Sequence, residues 1–203
     1  MKHNQIAKLL LQINAIKLKP KNPFIWSSGK KSPIYCDNRL TLSYPKIRKE
    51  IQKNLIELAK NDFKTTNLIA GVATAGIPHG VLMANKMNLP FVYVRSSEKK
   101  HGRKNKIEGE ITKNKKALIV EDLISTGKSS LNVAEALKDA GCEIVGIISI
   151  FNYNFLETKN RLEKKNIKHQ SLCNFDELIK QAEEEKYISE KELKTIMNWH
   201  ADF

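Results

Sequence analysis

The chain has 203 residues and a formal net charge of +13, with 41% hydrophobic and 28% charged residues. This composition is typical of soluble globular proteins, and the longest mostly apolar run, 144–151, is far too short to cross a bilayer, so collagen-like, disordered and membrane-spanning classes are excluded. Three cysteines argue against a disulfide scaffold. The N-terminal residues lack the apolar core and cleavage site of a signal peptide, and we therefore expect a single cytoplasmic domain over 1–203.

The N-terminal 60 residues combine helical and extended patterns. Apolar residues at helical spacing predict a first helix over Gln5 to Leu18. The segment from Phe24 to Arg39 contains prolines and a Ser-Ser-Gly turn, which favour a hairpin or an extended loop. Pro45 then begins a predicted helix that runs to Lys60, since proline is well tolerated in the first turn.

Short apolar segments alternate with helical patterns through the rest of the chain. Strands are predicted at 67–73, 91–94, 117–120, 144–150 and, more weakly, 169–173, and helices at 78–87 and 129–140. Two polar helices are expected over 175–199, broken near 187–189. This alternation predicts an α/β fold with a central, mainly parallel sheet flanked by helices.

The most informative segment is ALIVEDLISTGKSS, residues 117–130. An apolar strand leads into Glu121 and Asp122, then into a hydroxyl-rich turn and a helix, and ligands bind at the carboxyl ends of such strands. The turn and the helix N-terminus offer backbone N–H groups to a phosphate, and Gly127 permits close approach. The two acids would repel a phosphate but can accept hydrogen bonds from vicinal hydroxyls, so the pattern predicts a hydroxylated phosphate ester as ligand.

Two other interpretations of this segment are weaker. An ATPase phosphate loop needs a glycine five residues before Gly127, where the chain has Asp122. The segment could also be an ordinary strand–turn–helix connection without a ligand. Two adjacent acids directly after a buried strand would then cost folding free energy without serving a function. The segment EDLISTGKS instead resembles the phosphoribosyl-diphosphate signature of the type I phosphoribosyltransferases.

A basic segment supports the same ligand class. Residues 99–116 contain eight Lys and Arg residues against Glu108 and Glu110, and no apolar residue anchors the segment before Ile107, so we expect a mobile loop that could close over a diphosphate. A solvated lysine-rich loop is the alternative. The arrangement of Arg95, Lys99, His101 and Gly102 followed by Ile-Glu-Gly resembles the catalytic loop of the orotate phosphoribosyltransferases.

Two further segments resemble the same family. Residues 24–39 are similar to its S-S-G-x-x-S-P-x-Y segment, which contributes to the orotate pocket, and GVATAGIP, residues 71–78, is similar to its diphosphate-contacting loop. The resemblance implies a type I phosphoribosyltransferase fold with a small N-terminal hood over about 1–60. It also implies a homodimer in which the mobile loop reaches the site of the neighbouring subunit.

The resemblance implies phosphoribosyl transfer from phosphoribosyl diphosphate to orotate, with Mg²⁺ held mainly by substrate and water rather than directly by protein ligands. The implied catalytic residues are Lys99, His101 and Asp122. Phosphoribosyl diphosphate would be bound by Thr74, Ala75, Arg95, Lys99, His101, Glu121, Asp122, Leu123, Ile124, Ser125, Thr126, Gly127, Lys128 and Ser129. Orotate would be bound by Ser28, Lys31, Tyr35 and Ser125.

Three questions stay open at this stage. Many family members place an arginine for the orotate carboxylate just after the strand near Ile150, where this chain has Phe-Asn-Tyr; Lys31 or backbone amides near Ser28 are the substitutes. Transfer to a purine is a second enzyme reading, which residues 24–39 disfavour. A regulator that senses phosphoribosyl diphosphate and binds nucleic acid would suit the net charge, but no nucleic-acid-binding motif is present, so neither nucleic acid nor membrane is expected as a partner.

Overall fold

The computed structural model describes residues 3–26, 28–95, 106–112 and 114–203. Helices α1–α7 span His3–Gln12, Pro45–Asp62, Gly76–Met87, Lys128–Asp139, Leu156–Lys164, Phe175–Glu184 and Glu190–Ala201. Strands β1–β10 span Ile16–Leu18, Phe24–Ile25, Lys31–Ser32, Ile34–Cys36, Leu68–Val72, Phe91–Val94, Ile107–Glu108, Lys116–Ile124, Glu143–Asn152 and His169–Asn174. A 3-10 helix, Asn38–Ser43, precedes α2.

The central sheet has the strand order β10-β9-β8-β5-β6-β7. The first five strands are parallel and β7 pairs antiparallel with β6 at the edge. Neighbouring side chains on β5 enter different apolar clusters: Ile69 packs with residues of α1, α2 and α6, whereas Leu68 packs with residues of α4 and α5. Helices therefore cover both faces of the sheet, which confirms the predicted α/β architecture.

The first predicted helix is too long. The α1 helix ends at Gln12, and Asn14 adopts a positive φ of 55° that breaks the helical path. Residues 16–18 form β1 instead and pair with β4. The apolar residue Ile16 continues the helical spacing, but it is buried as part of β1 rather than of a helix. The spacing alone therefore extended the predicted helix past the true end of α1.

The strands that carry the site are longer than their apolar cores. The prediction ended the third sheet strand at Val120, but β8 continues to Ile124 because 121–124 pair in register with 149–152 of β9. Glu121 and Asp122 therefore lie in the last four residues of β8 rather than after the strand. Near the C-terminus, α6 and α7 each begin at a capping box, as expected for two helices separated near 187–189.

The N-terminal segment forms two short antiparallel pairs, β1 with β4 and β2 with β3. The hairpin alternative for residues 24–39 is therefore confirmed for β2 and β3. Across the described ranges, none of the helices combines the length and the apolar character that crossing a bilayer requires.

Candidate active site

The ends of three strands meet at the carboxyl edge of the sheet. Thr74 and Ala75 follow β5, Arg95 follows β6, and residues 125–127 connect β8 to α4. Because β5 lies between β6 and β8, these segments are spatial neighbours. Gly76, the first residue of α3, packs so closely on β8 that a Cβ there would lie 2.4 Å from the Val120 carbonyl oxygen. The structure therefore brings the predicted diphosphate residues that it describes next to the predicted phosphate loop.

The turn after β8 has the geometry of an anion site. Gly127 precedes α4 with a φ of 71°, a left-handed conformation that favours glycine. The α4 helix begins at Lys128, and no side chain of the described residues caps its first N–H groups. Free N–H groups and the positive end of the helix dipole both favour a bound phosphate. The predicted order of a strand, a hydroxyl-rich turn and a helix over residues 117–130 is confirmed.

Glu121 is a buried carboxyl group, with only 6% of its surface exposed. Its Oε2 accepts a hydrogen bond from Ser130 Oγ at 3.5 Å, and its Oε1 accepts one from the backbone N–H of Asp122 at 3.1 Å. Burial, and next the neighbouring charge of Asp122, raise the pKa of Glu121 well above its usual value. A buried carboxyl group with a raised pKa at the carboxyl end of a central strand costs folding free energy. Such perturbed groups are typical of functional sites.

Asp122 is less buried and is attached to the N-terminal segment. Asn38 Nδ2 donates a hydrogen bond to the Asp122 carbonyl oxygen at 2.7 Å. Burial raises the pKa of Asp122, while the Glu121 hydrogen bond opposes that rise. Asn38 Oδ1 is buried without a hydrogen-bond partner among the described residues, so an oxygen acceptor remains available beside the acid pair. Sequence reasoning missed Asn38, although it lies in the segment that resembled the orotate pocket.

The acid pair offers hard oxygen donors of the kind that Mg²⁺ prefers. In the described part of the chain, no group of three or more His, Cys, Asp or Glu side chains could hold a metal ion. Two adjacent carboxylates with an amide oxygen nearby fit an ion that keeps most of its ligands from substrate and water.

Helix α5 forms hydrogen bonds to residues 125–129, the predicted phosphate loop. Thr158 Oγ1 donates to the Ser125 carbonyl oxygen at 2.5 Å, and Arg161 Nη1 donates to the Thr126 carbonyl oxygen at 2.6 Å. Both bonds use carbonyl oxygens of the turn and so leave its N–H groups for a ligand. Thr158 and Arg161 lie 33 and 35 residues from their partners in sequence, and no local motif signals them.

A cavity of about 690 Å³ opens between the phosphate loop and the N-terminal hairpin. This volume suits a small ligand. The residues that line it come from the hairpin, the phosphate loop, the end of β9, α5 and the C-terminus: Ile25, Trp26, Ser28, Lys30, Tyr35, Cys36, Leu123, Ser125, Thr126, Lys128, Tyr153, Glu157 and Phe203.

The predicted orotate residues divide at this cavity. Ser28, Tyr35 and Ser125 line it, whereas Lys31 does not; its neighbour Lys30 does. The Lys31 backbone carbonyl instead accepts a hydrogen bond from Trp199 Nε1 at 3.0 Å. Lys30 lies in the turn between β2 and β3, whereas Lys31 is the first residue of β3. Phe203, at the far end of the chain, was not anticipated at all.

Arg95 is the first residue of the segment that resembled a catalytic loop. Its backbone N–H bonds to the Lys106 carbonyl oxygen at 2.9 Å, and its Nη1 lies 3.5 Å from Glu108 Oε1. Lys99 and His101, predicted as catalytic, lie outside the described residues.

The family model of the phosphoribosyl transferase domain matches residues 42–187. An orotate phosphoribosyltransferase of Listeria monocytogenes serotype 4b is 50% identical over 195 residues, which cover 96% of this chain and 93% of the relative. Two solved structures share the fold. The UMP synthase of Leishmania donovani superposes with a TM-score of 0.85 at 25% identity, covering all of this chain but 43% of that one. The orotate phosphoribosyltransferase of Aeropyrum pernix gives 0.78 at 24% identity, over 91% and 99% of the two chains.

Proposed function

The chain belongs to the phosphoribosyl transferase family, and we propose that it transfers a 5-phosphoribosyl group from 5-phosphoribosyl 1-diphosphate to orotate. The products are orotidine 5′-phosphate and diphosphate, in the de novo synthesis of UMP. The observation that carries this assignment is the cavity between the hairpin and the phosphate loop, which provides a place for a base beside a site for a phosphate. The alternative of a nucleic-acid-binding regulator gains no support from the relatives that the chain resembles.

The phosphate loop binds the 5′-phosphate. Residues 125–129 supply hydroxyl groups and the unpaired N–H groups at the start of α4, and Lys128 adds a cation at its first position. Thr158 and Arg161 hold the loop in one conformation before the ligand arrives, so less conformational entropy is lost on binding.

The acid pair binds the ribose. Asp122 accepts hydrogen bonds from the ribose hydroxyls, with Glu121 behind it, and their negative charge favours the positive charge that builds at C1 as diphosphate departs. The reaction needs little covalent help from the protein, because fixed geometry and electrostatics lower the barrier.

Cations complete the diphosphate side of the proposed site. Thr74, Ala75 and Arg95 lie at the neighbouring strand ends, and Lys99 and His101 follow Arg95 in the chain. Lys99 stabilises the charge of the leaving diphosphate, and His101 either does the same or donates a proton. Glu121, Asp122 and Asn38 Oδ1 would be the nearby protein oxygens for an Mg²⁺ ion held mainly by the substrate and water, which would further neutralise the charge of the diphosphate.

The protein is proposed to act as a cytoplasmic homodimer, each chain being one domain with the hood over about 1–60. Its free thiols, Cys36, Cys142 and Cys173, suit a reducing compartment. In the dimer, the segment with Lys99 would reach the neighbouring subunit's site.

A direct assay tests the function. Purified protein is mixed with orotate, phosphoribosyl diphosphate and Mg²⁺, and orotidine 5′-phosphate is measured by chromatography. We expect product only when all three components are present. Product from uracil or a purine, with none from orotate, would reassign the substrate, and inertness towards every base would contradict the proposal.

A further inference from the structure

The cavity presents two lysines from opposite sides. Lys128 begins α4 at the phosphate loop, and Lys30 comes from the turn between β2 and β3. Glu157 is the carboxylate among the lining residues, and it forms an ion pair with Arg161. No described carboxylate pairs with Lys30. Its charge is therefore available to an anionic group at the hairpin end of the cavity.

The ring of Phe203 lies under the Lys30 ammonium. Lys30 Nζ is 4.0 Å from the centre of the ring, a distance at which a cation is attracted to an aromatic face. Phe203 in turn stacks on Phe155, with ring centres 3.8 Å apart, and lies 5.7 Å from Trp26. An exposed lysine normally samples many rotamers, and this contact favours those that place the Lys30 ammonium over the Phe203 ring at the cavity.

Helix α7 fixes this arrangement. Trp199 Nε1 donates to the Lys31 carbonyl oxygen at 3.0 Å, which attaches α7 to the hairpin. His200 Nε2 lies 2.7 Å from the Tyr153 carbonyl oxygen, which attaches it to the end of β9. Both the hairpin and α7 lie outside residues 42–187, the part that matches the family model. The hairpin end of the cavity is thus built by the parts of the chain that the shared domain does not include.

We propose that Lys30 binds the carboxylate of the pyrimidine substrate and that Phe203 positions its ammonium group. The inference rests on the proposed function, because it takes orotate as the base. Residues 151–153 of this chain carry no basic side chain for that carboxylate, so the cation must come from another segment, and Lys30 supplies it. A charged hydrogen bond to the carboxylate provides both affinity and discrimination against a neutral base such as uracil.

Steady-state kinetics of paired lysine variants test the first part. Lys30→Met should raise the KM for orotate by about 10-fold or more, the loss typical of a charged hydrogen bond, and leave the KM for phosphoribosyl diphosphate within about twofold. Lys31→Met should leave both constants within about twofold of wild type, because that side chain does not line the cavity. The wild type's preference for orotate over uracil should fall in Lys30→Met alone.

The second part uses Phe203→Leu and Phe203→Tyr. Leucine keeps an apolar side chain but removes the aromatic face, so the KM for orotate should rise by roughly threefold to tenfold, and tyrosine should restore it. Combined with Lys30→Met, Phe203→Leu should add no further increase, since its effect acts through the lysine. A positioning role predicts this non-additivity, whereas a purely structural role predicts additive losses.

The outcomes separate the two claims. A wild-type protein that converts no orotate refutes the proposed function and this inference with it. Conversion by the wild type with an unchanged orotate KM in Lys30→Met, or with the larger loss in Lys31→Met, refutes the inference alone. Additive losses for Phe203→Leu and Lys30→Met would overturn the positioning role while keeping Lys30 as the carboxylate ligand.

Discussion

At Glu121, the requirements of folding stability conflict with those of the proposed ligand binding. Glu121 is buried at the end of a central strand, and its surroundings offer one hydroxyl and one backbone N–H to its carboxyl group. Burial raises its pKa, so ionisation at neutral pH costs folding free energy. A protein under selection for stability alone would place a neutral side chain there.

Glu121→Gln should therefore stabilise the fold and impair the reaction. A raised carboxyl pKa means that the group's contribution to stability is present below about pH 4.5 and is lost as pH rises through the raised value. We expect the variant to gain roughly 1–3 kcal/mol in the free energy of unfolding at pH 8 and almost nothing at pH 4.5, while kcat/KM falls roughly tenfold or more. Urea unfolding at both pH values measures the gain.

Glu163→Gln is the matched control, since Glu163 is exposed on α5. It should change neither the stability nor the activity. A Glu121→Gln protein that is less stable than wild type at pH 8 would show that the hydrogen bonds of Glu121 outweigh the cost of its burial.

At the scale of elements, the phosphate loop depends on α5, a helix that follows the next strand. Arg161 and Thr158 hold two consecutive carbonyl groups of the turn, so the loop's conformation is set by a tertiary contact as well as by Gly127. This support should matter most for the substrate that carries the phosphate.

Arg161→Met should raise the KM for phosphoribosyl diphosphate by about fivefold to tenfold, the equivalent of one lost hydrogen bond to a partly buried carbonyl group. The KM for orotate should change less than the KM for phosphoribosyl diphosphate. Lys165→Met, at the residue that directly follows α5, provides the control, because Lys165 pairs with Glu135 on the exposed surface. Equal effects of both variants would mean that α5 acts only through its general stability.

At the scale of the whole molecule, two histidines of the described residues, remote from each other in the chain, have a lowered pKa: His79 is buried and His169 is half-buried. Burial lowers the pKa of His79, on α3, and of His169, on β10, to about 4 in each case. Both must be neutral in the native state, whereas the unfolded chain protonates them near pH 6.5. The proton uptake that accompanies unfolding links the stability of the sheet to pH.

The contribution of the two histidines to stability should therefore fall as pH decreases from 6.5 to 4, opposite in sign to that of Glu121, because a lowered histidine pKa contributes stability above the unfolded value that is lost towards the folded one. For His79 the loss approaches about 3 kcal/mol. Urea unfolding between pH 7.5 and 4.5 measures it, and His169→Gln should flatten the curve relative to wild type. An unchanged slope in that variant would exclude His169 from the acid response.

Subunit assembly is also a property of the whole molecule. If the segment with Lys99 serves the neighbouring site, inactive Lys99→Ala and Asp122→Asn proteins should regain up to about a quarter of wild-type activity when mixed and allowed to exchange subunits, since random pairing yields one intact site in each mixed dimer. Lys99→Ala alone should lower kcat far more than it weakens orotate binding. Mixed variants that stay inactive although subunit exchange is verified would place each site within one subunit.

The sequence by itself determined the alternation of strands and helices along the chain, the strand, turn and helix at residues 117–130 and the family resemblance, because these depend on short-range patterns. Apolar runs of strand length, a glycine before a helix and two acids after buried residues each have a local physical meaning. Local patterns also failed where a local cue was ambiguous. The spacing of apolar residues continued through Asn14, beyond the end of α1. Lys31, which the sequence assigned to orotate, does not line the cavity, whereas its neighbour Lys30 does; the paired methionine variants decide which of the two binds the carboxylate.

Only the tertiary structure decided which distant residues complete the site. Asn38 reaches Asp122 across 84 residues, Arg161 reaches Thr126 across 35, and Phe203, which follows the last helix, lines the cavity. These contacts exist because parallel strands bring their carboxyl ends to one edge and because α7 packs back onto the N-terminal hairpin. A sequence pattern records the propensity of a segment, whereas such contacts depend on how separate segments pack, and that information appears only when the chain is folded.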